Sequence, residues 1–228
     1  MNVFNQSSCS IDKKLANFSK YVRRQNIARF LAQYEIFKRQ IGIKGSVVEC
    51  GVHHGGGLMA WAKLSATLEP YNYHRKIIGF DTFSGFPKVS EIDLRNPNAK
   101  EGMFFEEYDV YSELLEVIKE FDENRFINQI PKVELIQGDA CITIPKYIEE
   151  NPHLIISLLF LDFDIYKPTT VALESFLHRM PKGAIIAFDE INNVDWPGET
   201  LALLEKLDLN LMKLECFEFE PNISFIQL

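Results

Sequence analysis

Cysteine, positive charge and long apolar runs are scarce in this 228-residue sequence. Its four cysteines show no Cys-x-x-Cys spacing, which favours free thiols in a reducing cytosol over a disulfide framework. Lys and Arg number 24 against 32 Asp and Glu, and the net charge of −8 argues against nucleic acid as the main partner. No apolar stretch approaches the roughly 20 residues of a membrane span, and residues 1–10 lack the apolar core of a signal peptide. We therefore expect a cytoplasmic protein with no membrane partner.

Short apolar runs alternate with amphipathic segments along the chain, and this alternation predicts the fold. Strands are predicted at 46–50, 76–80, 132–136, 154–161 and 183–188. Alternating residues in 211–217 and 223–228, around Pro221-Asn222, predict a C-terminal hairpin. The sequence thus predicts a single α/β domain over 1–228, with a doubly wound, mostly parallel sheet and an antiparallel edge.

A helical extension is predicted before the first strand. Residues 11–43 place apolar side chains such as Phe30, Tyr34 and Phe37 at helical spacing. We expect one or two amphipathic helices that pack on the core or against another subunit. The second arrangement predicts a homo-oligomer.

Two pairs of acidic residues follow the fourth and fifth predicted strands. They are Asp162 with Asp164, and Asp189 with Glu190. Parallel sheets bind ligands at the carboxyl ends of their strands, so the four carboxylates are predicted to meet in one site. Burying carboxylates is costly without compensation, and a hard divalent cation is the simplest compensation. The alternative is that these acids cap helices or pair with Lys167.

Strand geometry and ligand chemistry divide the roles within this acidic site. An extended chain points Asp162 and Asp164 to the same side, whereas Asp189 and Glu190 share a site only if the chain turns there. Oxygen-only ligands favour Mg²⁺ over zinc or copper. The predicted Mg²⁺ ligands are Asp162, Asp189 and Glu190.

A glycine-rich turn, with Glu49, Gly51 and Gly55, follows the first strand and leads into a helix. Glycines let the backbone approach a ligand, and a helix N-terminus favours an anion. A dinucleotide site would need a glycine where the chain has His53, which disfavours an NAD-dependent oxidoreductase. His53 and His54 are not predicted as metal ligands, because no third nitrogen ligand has suitable spacing.

Each of the first three strands is followed by a candidate cofactor residue or motif. These are the glycine-rich turn after the first strand, Asp81 at the end of the second and Asp139 after the third. Together they resemble the class I methyltransferases, which bind S-adenosylmethionine on a Rossmann-like sheet. The resemblance implies that the three turn residues approach the methionine moiety, that Asp81 binds the ribose hydroxyls and that Asp139 lies near the adenine. Asp162 is assigned to the cofactor as well as to the metal. The alternative is a plain helix entry with the acids as N-caps.

The chemistry of a sulfonium methyl donor gives the fourth acid a role. The methyl group is already activated, so the enzyme must mainly supply an oxygen nucleophile in line with it. A bound cation lowers the pKa of an alcohol and orients it, and a carboxylate removes the proton. Asp164 is the predicted general base.

Longer motifs resemble one family within this class. The motifs are VECGV at 48–52, FDTFSGFP at 80–87, LDFDIY at 161–166 and FDE at 188–190. They are similar to the Mg²⁺-dependent sugar O-methyltransferases typified by macrocin O-methyltransferase (TylF/MycF type) and the novobiocin-pathway enzyme, from about residue 25 onward. YHRK at 73–76 and WPGET at 196–200 resemble the subgroup that methylates the 3-hydroxyl of TDP-activated deoxysugars such as TDP-rhamnose.

Three positions depart from the family pattern. Phe163 stands where many members have glycine, and Glu190 replaces the second Asp of a frequent pair. Some members use a histidine as base where this chain has Ile165, which leaves Asp164 as the candidate.

A long segment after the second strand is predicted to cover the site. Residues 82–108 combine aromatic and charged side chains with little periodicity, which is typical of a lid, although an unstructured insertion would look similar. Asn192, Asn193 and Trp196 follow the second acidic pair and are predicted to hydrogen-bond and stack against a sugar.

The sequence thus predicts a Mg²⁺-dependent O-methyltransferase that transfers a methyl group from S-adenosylmethionine to a deoxysugar, and the resemblance implies that this sugar is nucleotide-linked. Three alternatives stay open at this point. A catechol O-methyltransferase would use similar acids, an NAD-dependent oxidoreductase would use the same sheet, and an interaction module would lack chemistry altogether.

Overall fold

A seven-stranded sheet forms the centre of the structure, a computed structural model that describes residues 2–228. The strands are β1 Ser46–Cys50, β2 Ile77–Asp81, β3 Val133–Gln137, β4 Ile156–Leu161, β5 Ile185–Phe188, β6 Leu214–Phe217 and β7 Glu220–Gln227. Their order is β3-β2-β1-β4-β5-β7-β6, with β1 to β5 parallel and β7 antiparallel to both β5 and β6. The predicted doubly wound sheet with an antiparallel edge is confirmed.

Helices precede β1 and connect the parallel strands, as the periodicity predicts. They are α1 Asn2–Gln6, α2 Ile11–Ala16, α3 Arg24–Gln40, α4 Gly56–Leu68, α5 Val110–Glu123, α6 Ala140–Glu150, α7 Tyr166–Phe176 and α8 Gly198–Lys206. None of these helices combines the length and the apolarity that crossing a membrane requires.

The parallel strands are buried on both faces, which explains their continuous apolar runs. Val47 and Leu158 point into a core that α3 and α4 complete, whereas their neighbours Val48 and Leu159 point into a second core beneath α6, α7 and α8. The N-terminal extension therefore packs on its own chain through α3.

The C-terminal hairpin turns at a different place from the predicted one. Its turn is Glu218-Phe219, and Pro221-Asn222 lie inside β7. They fall between the partner pairs Phe217–Glu220 and Cys216–Ser224, at an irregularity of the ladder. Proline has no N–H to donate, so a bulge accommodates it within a strand. The prediction of Pro221-Asn222 as the turn was wrong.

Candidate active site

A cavity of about 450 Å³ opens at the carboxyl ends of the parallel strands. Each of the five strands places a residue at its wall just where the strand ends. These residues are Gly51, Asp81, Gly138, Asp162 and Asp189. The switch in strand order between β1 and β4 sets Gly51 beside Asp162, in the position where such sheets bind their ligands.

Only glycine fits at position 51, because the chain after β4 passes close to it. Its φ is +93°, and a Cβ atom built on it would lie 1.9 Å from the carbonyl oxygen of Asp162. The Asp162 N–H in turn donates to the Cys50 carbonyl at 2.8 Å. The glycine turn and the first acidic pair are therefore held against each other by backbone packing.

Glu49 is buried beneath the glycine turn. One of its oxygens accepts the Trp61 indole N–H at 2.5 Å, and a side chain at Gly57 would contact the carboxylate at 2.8 Å. Burial raises the pKa of Glu49 to about 8, although the Trp61 hydrogen bond and the charge of Arg29 act in the opposite direction. The carboxylate borders the cavity and is bound to α4 through Trp61.

The other residues predicted at the cofactor lie in different places. Asp81 borders the cavity, and its carboxylate accepts the backbone N–H groups of Val52, His53 and Phe83 at 2.7–2.8 Å. Asp139 caps α6 by accepting the Cys141 N–H at 2.9 Å, and its neighbours rather than Asp139 itself line the cavity.

Gly55 does not line the cavity among the described residues; it precedes α4 with a φ of +81° and packs against Leu114. The contacts of Gly55 and Asp139 are therefore those of the alternative given above, a helix entry and an N-cap.

The four predicted acids meet around one buried carboxylate that the sequence analysis missed. Glu199, in the first turn of α8, accepts the backbone N–H groups of Phe163, Asp164 and Glu190 at 3.1–3.2 Å. It thereby ties the loop after β4 to the loop after β5. A Glu within WPGET was visible in the sequence, but nothing there distinguished it from a solvent-exposed helix residue.

The loop geometry differs from the extended chain that the sequence analysis assumed. β4 ends at Leu161, and Asp164 has a φ of +60°. The side chains of Asp162 and Asp164 therefore reach the cavity through a turn, and the alternation argument for them was wrong.

Arg29 of α3 pairs with two of the predicted metal ligands. Its Nη2 donates to Asp162 Oδ2 at 2.7 Å, and its Nη1 donates to Asp189 Oδ1 at 2.5 Å. The guanidinium also lies over the Phe160 ring, 5.7 Å from its centroid. Burial alone would lower the pKa of Arg29, but the two carboxylates more than offset this and raise it. Arg29, and not Lys167, is the basic partner of these acids in the described part of the chain.

Comparison with known proteins identifies the class of enzyme. Residues 21–202 match the family described as macrocin-O-methyltransferase (TylF). The chain belongs to this family. It is therefore an S-adenosylmethionine-dependent O-methyltransferase, and an NAD-dependent oxidoreductase is excluded. A search of curated proteins found no match.

Solved structures agree with this assignment. The calicheamicin methyltransferase CalS11 is 32% identical with a TM-score of 0.95, over 99% of this chain and 88% of that chain. An apo structure of CalS11, described as a TDP-rhamnose 3′-O-methyltransferase of calicheamicin biosynthesis, is 28% identical with a TM-score of 0.85, over 99% and 89%. The O-methyltransferase NovP shares the fold at 18% identity and a TM-score of 0.65, over 88% and 79%.

The acidic cluster of this methyltransferase has donor atoms that suit a divalent cation, but these atoms are not spaced to coordinate one. Its donors are carboxylate oxygens, which Mg²⁺ prefers, and two of them, on Asp162 and Asp189, share a single guanidinium. Among the residues that the structure describes, however, Asp162, Asp189 and Glu190 do not bring one oxygen each within 4.8 Å of one another. A cation would have to draw them together.

The pKa values of the cluster are raised by burial and by its excess of negative charge. Burial raises the pKa of Asp164 to about 7, and the charges of Glu190 and Asp189 add to this effect. Burial and Asp189 also raise the pKa of Asp162 well above its ordinary value, although Arg29 opposes them. Each group favours its proton because it is buried and because one arginine does not balance the charge of the cluster.

Residues 82–108 form a loop beside the cavity, and side-chain contacts attach this loop to the rest of the chain. Asp93 is buried and anchors the loop by accepting the Tyr166 N–H at the start of α7 at 2.8 Å. Glu106 lies 3.2 Å from His54 Nε2 and 3.5 Å from His53 Nε2, so the loop also contacts the glycine turn. These three residues are the one His, Cys, Asp or Glu group in 2–228 with ligand atoms within 4.8 Å of one another. Glu106 offers an oxygen, whereas the argument against His53 and His54 as metal ligands considered only a third nitrogen.

The residues predicted at the acceptor lie at the outer edge of the acidic cluster. Asn193 donates from Nδ2 to Glu190 Oε2, and the exposed Asn192 donates its backbone N–H to Thr200 Oγ1 at 2.8 Å. Trp196 packs against Phe86 and Phe104 of the 82–108 loop, with ring centroids 5.9 and 6.2 Å apart. Glu190 and these three residues lie outside the cavity wall among the described residues.

Proposed function

We propose that this enzyme methylates a hydroxyl of a nucleotide-linked deoxysugar, and specifically the 3-hydroxyl of a TDP-6-deoxyhexose such as TDP-rhamnose. The similarity to CalS11 over 99% of the chain supports this acceptor. The geometry that carries the proposal is a single cavity bordered both by the glycine turn and by Asp162, Asp164 and Asp189. Donor and acceptor would meet between them.

In the proposed reaction, the acceptor oxygen attacks the sulfonium methyl carbon, the carbon–sulfur bond breaks and S-adenosylhomocysteine leaves. Asp164 takes the hydroxyl proton. Its raised pKa makes it a stronger base than an ordinary aspartate, once it is ionised. The glycine turn holds the donor, because Gly51, Gly56 and Gly57 border the cavity beside Glu49 and nothing lies within 4 Å of a Cβ atom built on Gly56.

We also propose Mg²⁺ at Asp162, Asp189 and Glu190. When bound there, a divalent cation would lower the pKa of the acceptor hydroxyl. Glu199 supports this site by holding the two acidic loops at a constant separation. Residues 82–108 serve as the lid, and Trp196, Asn192 and Asn193 contact the sugar beside it.

The acceptor class is tested by direct competition. Purified enzyme is incubated with S-adenosylmethionine and Mg²⁺ plus equimolar TDP-rhamnose, free rhamnose and a catechol. Tandem mass spectrometry and NMR then locate the methyl group. We expect methylation of TDP-rhamnose at the 3-hydroxyl. Preferential methylation of the catechol, which the aromatic pair Phe86 and Phe104 would also accommodate, would contradict the sugar assignment.

A further inference from the structure

Arg29 holds one oxygen of each of two carboxylates that lie 27 residues apart on different strand ends, Asp162 and Asp189. A guanidinium is planar and always charged, and it fits two carboxylate oxygens at once. The arginine is presented by α3, whose residues Ala32 and Ile36 are fully buried in the core. Its position is therefore fixed by a packed helix, not by a mobile terminus.

The two carboxylates bound by Arg29 are also the two that a divalent cation would need. A cation shared by Asp162 and Asp189 must lie between them, where the guanidinium now lies. Two cations at such short range repel each other strongly inside a partly buried site. Both cannot use this pair of carboxylates at full strength.

We infer that Arg29 is an internal counter-ion, which neutralises Asp162 and Asp189 in the metal-free enzyme and competes with a divalent cation for them. This inference rests on the cation proposed above. It gives the N-terminal extension a role in the site: cation binding would release the Arg29 side chain while α3 stays packed. The opposite role is an orienting partner that aids metal binding, as outer groups around metal ligands often do.

The two roles predict opposite changes in cation affinity. Titration calorimetry with Mg²⁺ is carried out on the EDTA-treated, full-length wild type and on Arg29→Gln. We expect Arg29→Gln to bind Mg²⁺ tighter by about tenfold or more. We also expect a lower Tm than wild type in EDTA and a larger rise in Tm on adding Mg²⁺, since the unpaired carboxylates destabilise the metal-free protein.

Arg39→Gln is the matched control, because Arg39 lies on the same helix but pairs with Glu215, which is not part of the acidic cluster, at 3.4 Å. It should bind Mg²⁺ as wild type does. If Arg29→Gln does not fold in EDTA, Arg29→Lys replaces it; this variant keeps the charge without the two-pronged geometry and should bind Mg²⁺ more tightly than wild type by a smaller factor.

Equal or weaker Mg²⁺ binding by the Arg29 variants overturns the competition. If neither wild type nor the variants bind Mg²⁺, the cation of the proposed function is wrong and the competition is wrong with it. Binding by wild type with no gain in the variants removes the competition alone.

Discussion

At the scale of single residues, the site depends on carboxylates held in unusual surroundings. Glu49 and Glu199 are buried, yet one accepts an indole N–H and the other accepts three backbone N–H groups. Asp162 and Asp189 meet an arginine. Of the acids bordering the cavity, Asp164 is the one we assign to proton transfer, and it has a raised pKa without an ion pair in the described structure.

Asp164→Asn should bind S-adenosylmethionine as wild type does but lose about 10²-fold or more in kcat, because the amide cannot take the proton. Asp195→Asn, at an exposed acid on the nearby loop, is the control and should leave kcat unchanged. Initial rates of S-adenosylhomocysteine formation give the comparison. Wild-type kcat in Asp164→Asn would rule out this residue as the base.

Glu49 gives the folded protein a pH-dependent stability. Its pKa is about 8 in the folded state against 4.5 ordinarily, so the folded state binds more protons between these values. The contribution of Glu49 to stability therefore falls as pH rises from about 4.5 to 8. We expect Glu49→Gln to gain in Tm relative to wild type as pH rises from 5 to 8, by about 2–4 °C per kcal/mol.

Thermal unfolding without methyl donor measures this difference, and Glu120→Gln on the exposed face of α5 is its control. A Tm difference between Glu49→Gln and wild type that is constant across this pH range would contradict the raised pKa.

At the scale of elements, strand ends and the loops after them determine the site. The sequence predicted these ends well, because each acid directly follows a buried apolar run. It could not predict Arg29, since an amphipathic pattern identifies the apolar face of α3 but not which polar residue reaches across to the sheet. It misplaced the hairpin turn at Pro221-Asn222, because a proline inside a bulge has the same local signature as a proline in a turn.

The close approach of β1 and β4 can be tested at one glycine. Gly51→Ala places a Cβ atom against the Asp162 carbonyl at a positive φ, so it should lower the free energy of unfolding by about 3 kcal/mol or more. Gly56→Ala is the control, because nothing lies within 4 Å of its added Cβ. Urea unfolding followed by circular dichroism compares them. Equal stabilities would mean that the two strand ends are not held in contact.

The contact of Trp196 with Phe86 and Phe104 predicts where the acceptor binds. If Trp196 stacks against the acceptor as proposed, Trp196→Ala should raise KM for the sugar nucleotide by about tenfold and change KM for S-adenosylmethionine little, because it removes that surface and its packing against Phe86 and Phe104. Val194→Ala, at an 86% exposed side chain in the same loop, should behave as wild type. A selective rise in KM for the donor would place Trp196 on the wrong side of the cavity.

At the scale of the whole molecule, the N-terminal extension completes the core and supplies Arg29 to the site. Part of its surface is apolar and exposed, including Ile11, Leu15 and Phe18. The predicted homo-oligomer would cover such a surface, and it stays a prediction. The lid over 82–108 likewise stays a prediction, although Asp93 and Glu106 give that segment two attachments to the rest of the chain.

The central claim is cation-dependent transfer of a methyl group to a sugar nucleotide. Its most direct test is mass spectrometry of TDP-rhamnose incubated with the enzyme and S-adenosylmethionine, with Mg²⁺, with EDTA, and with EDTA followed by excess Mg²⁺. We expect a product heavier by one methylene in Mg²⁺, its loss in EDTA and its return when Mg²⁺ is restored. Undiminished methylation in EDTA would contradict the cation, and no methylation of TDP-rhamnose in Mg²⁺ would contradict the acceptor.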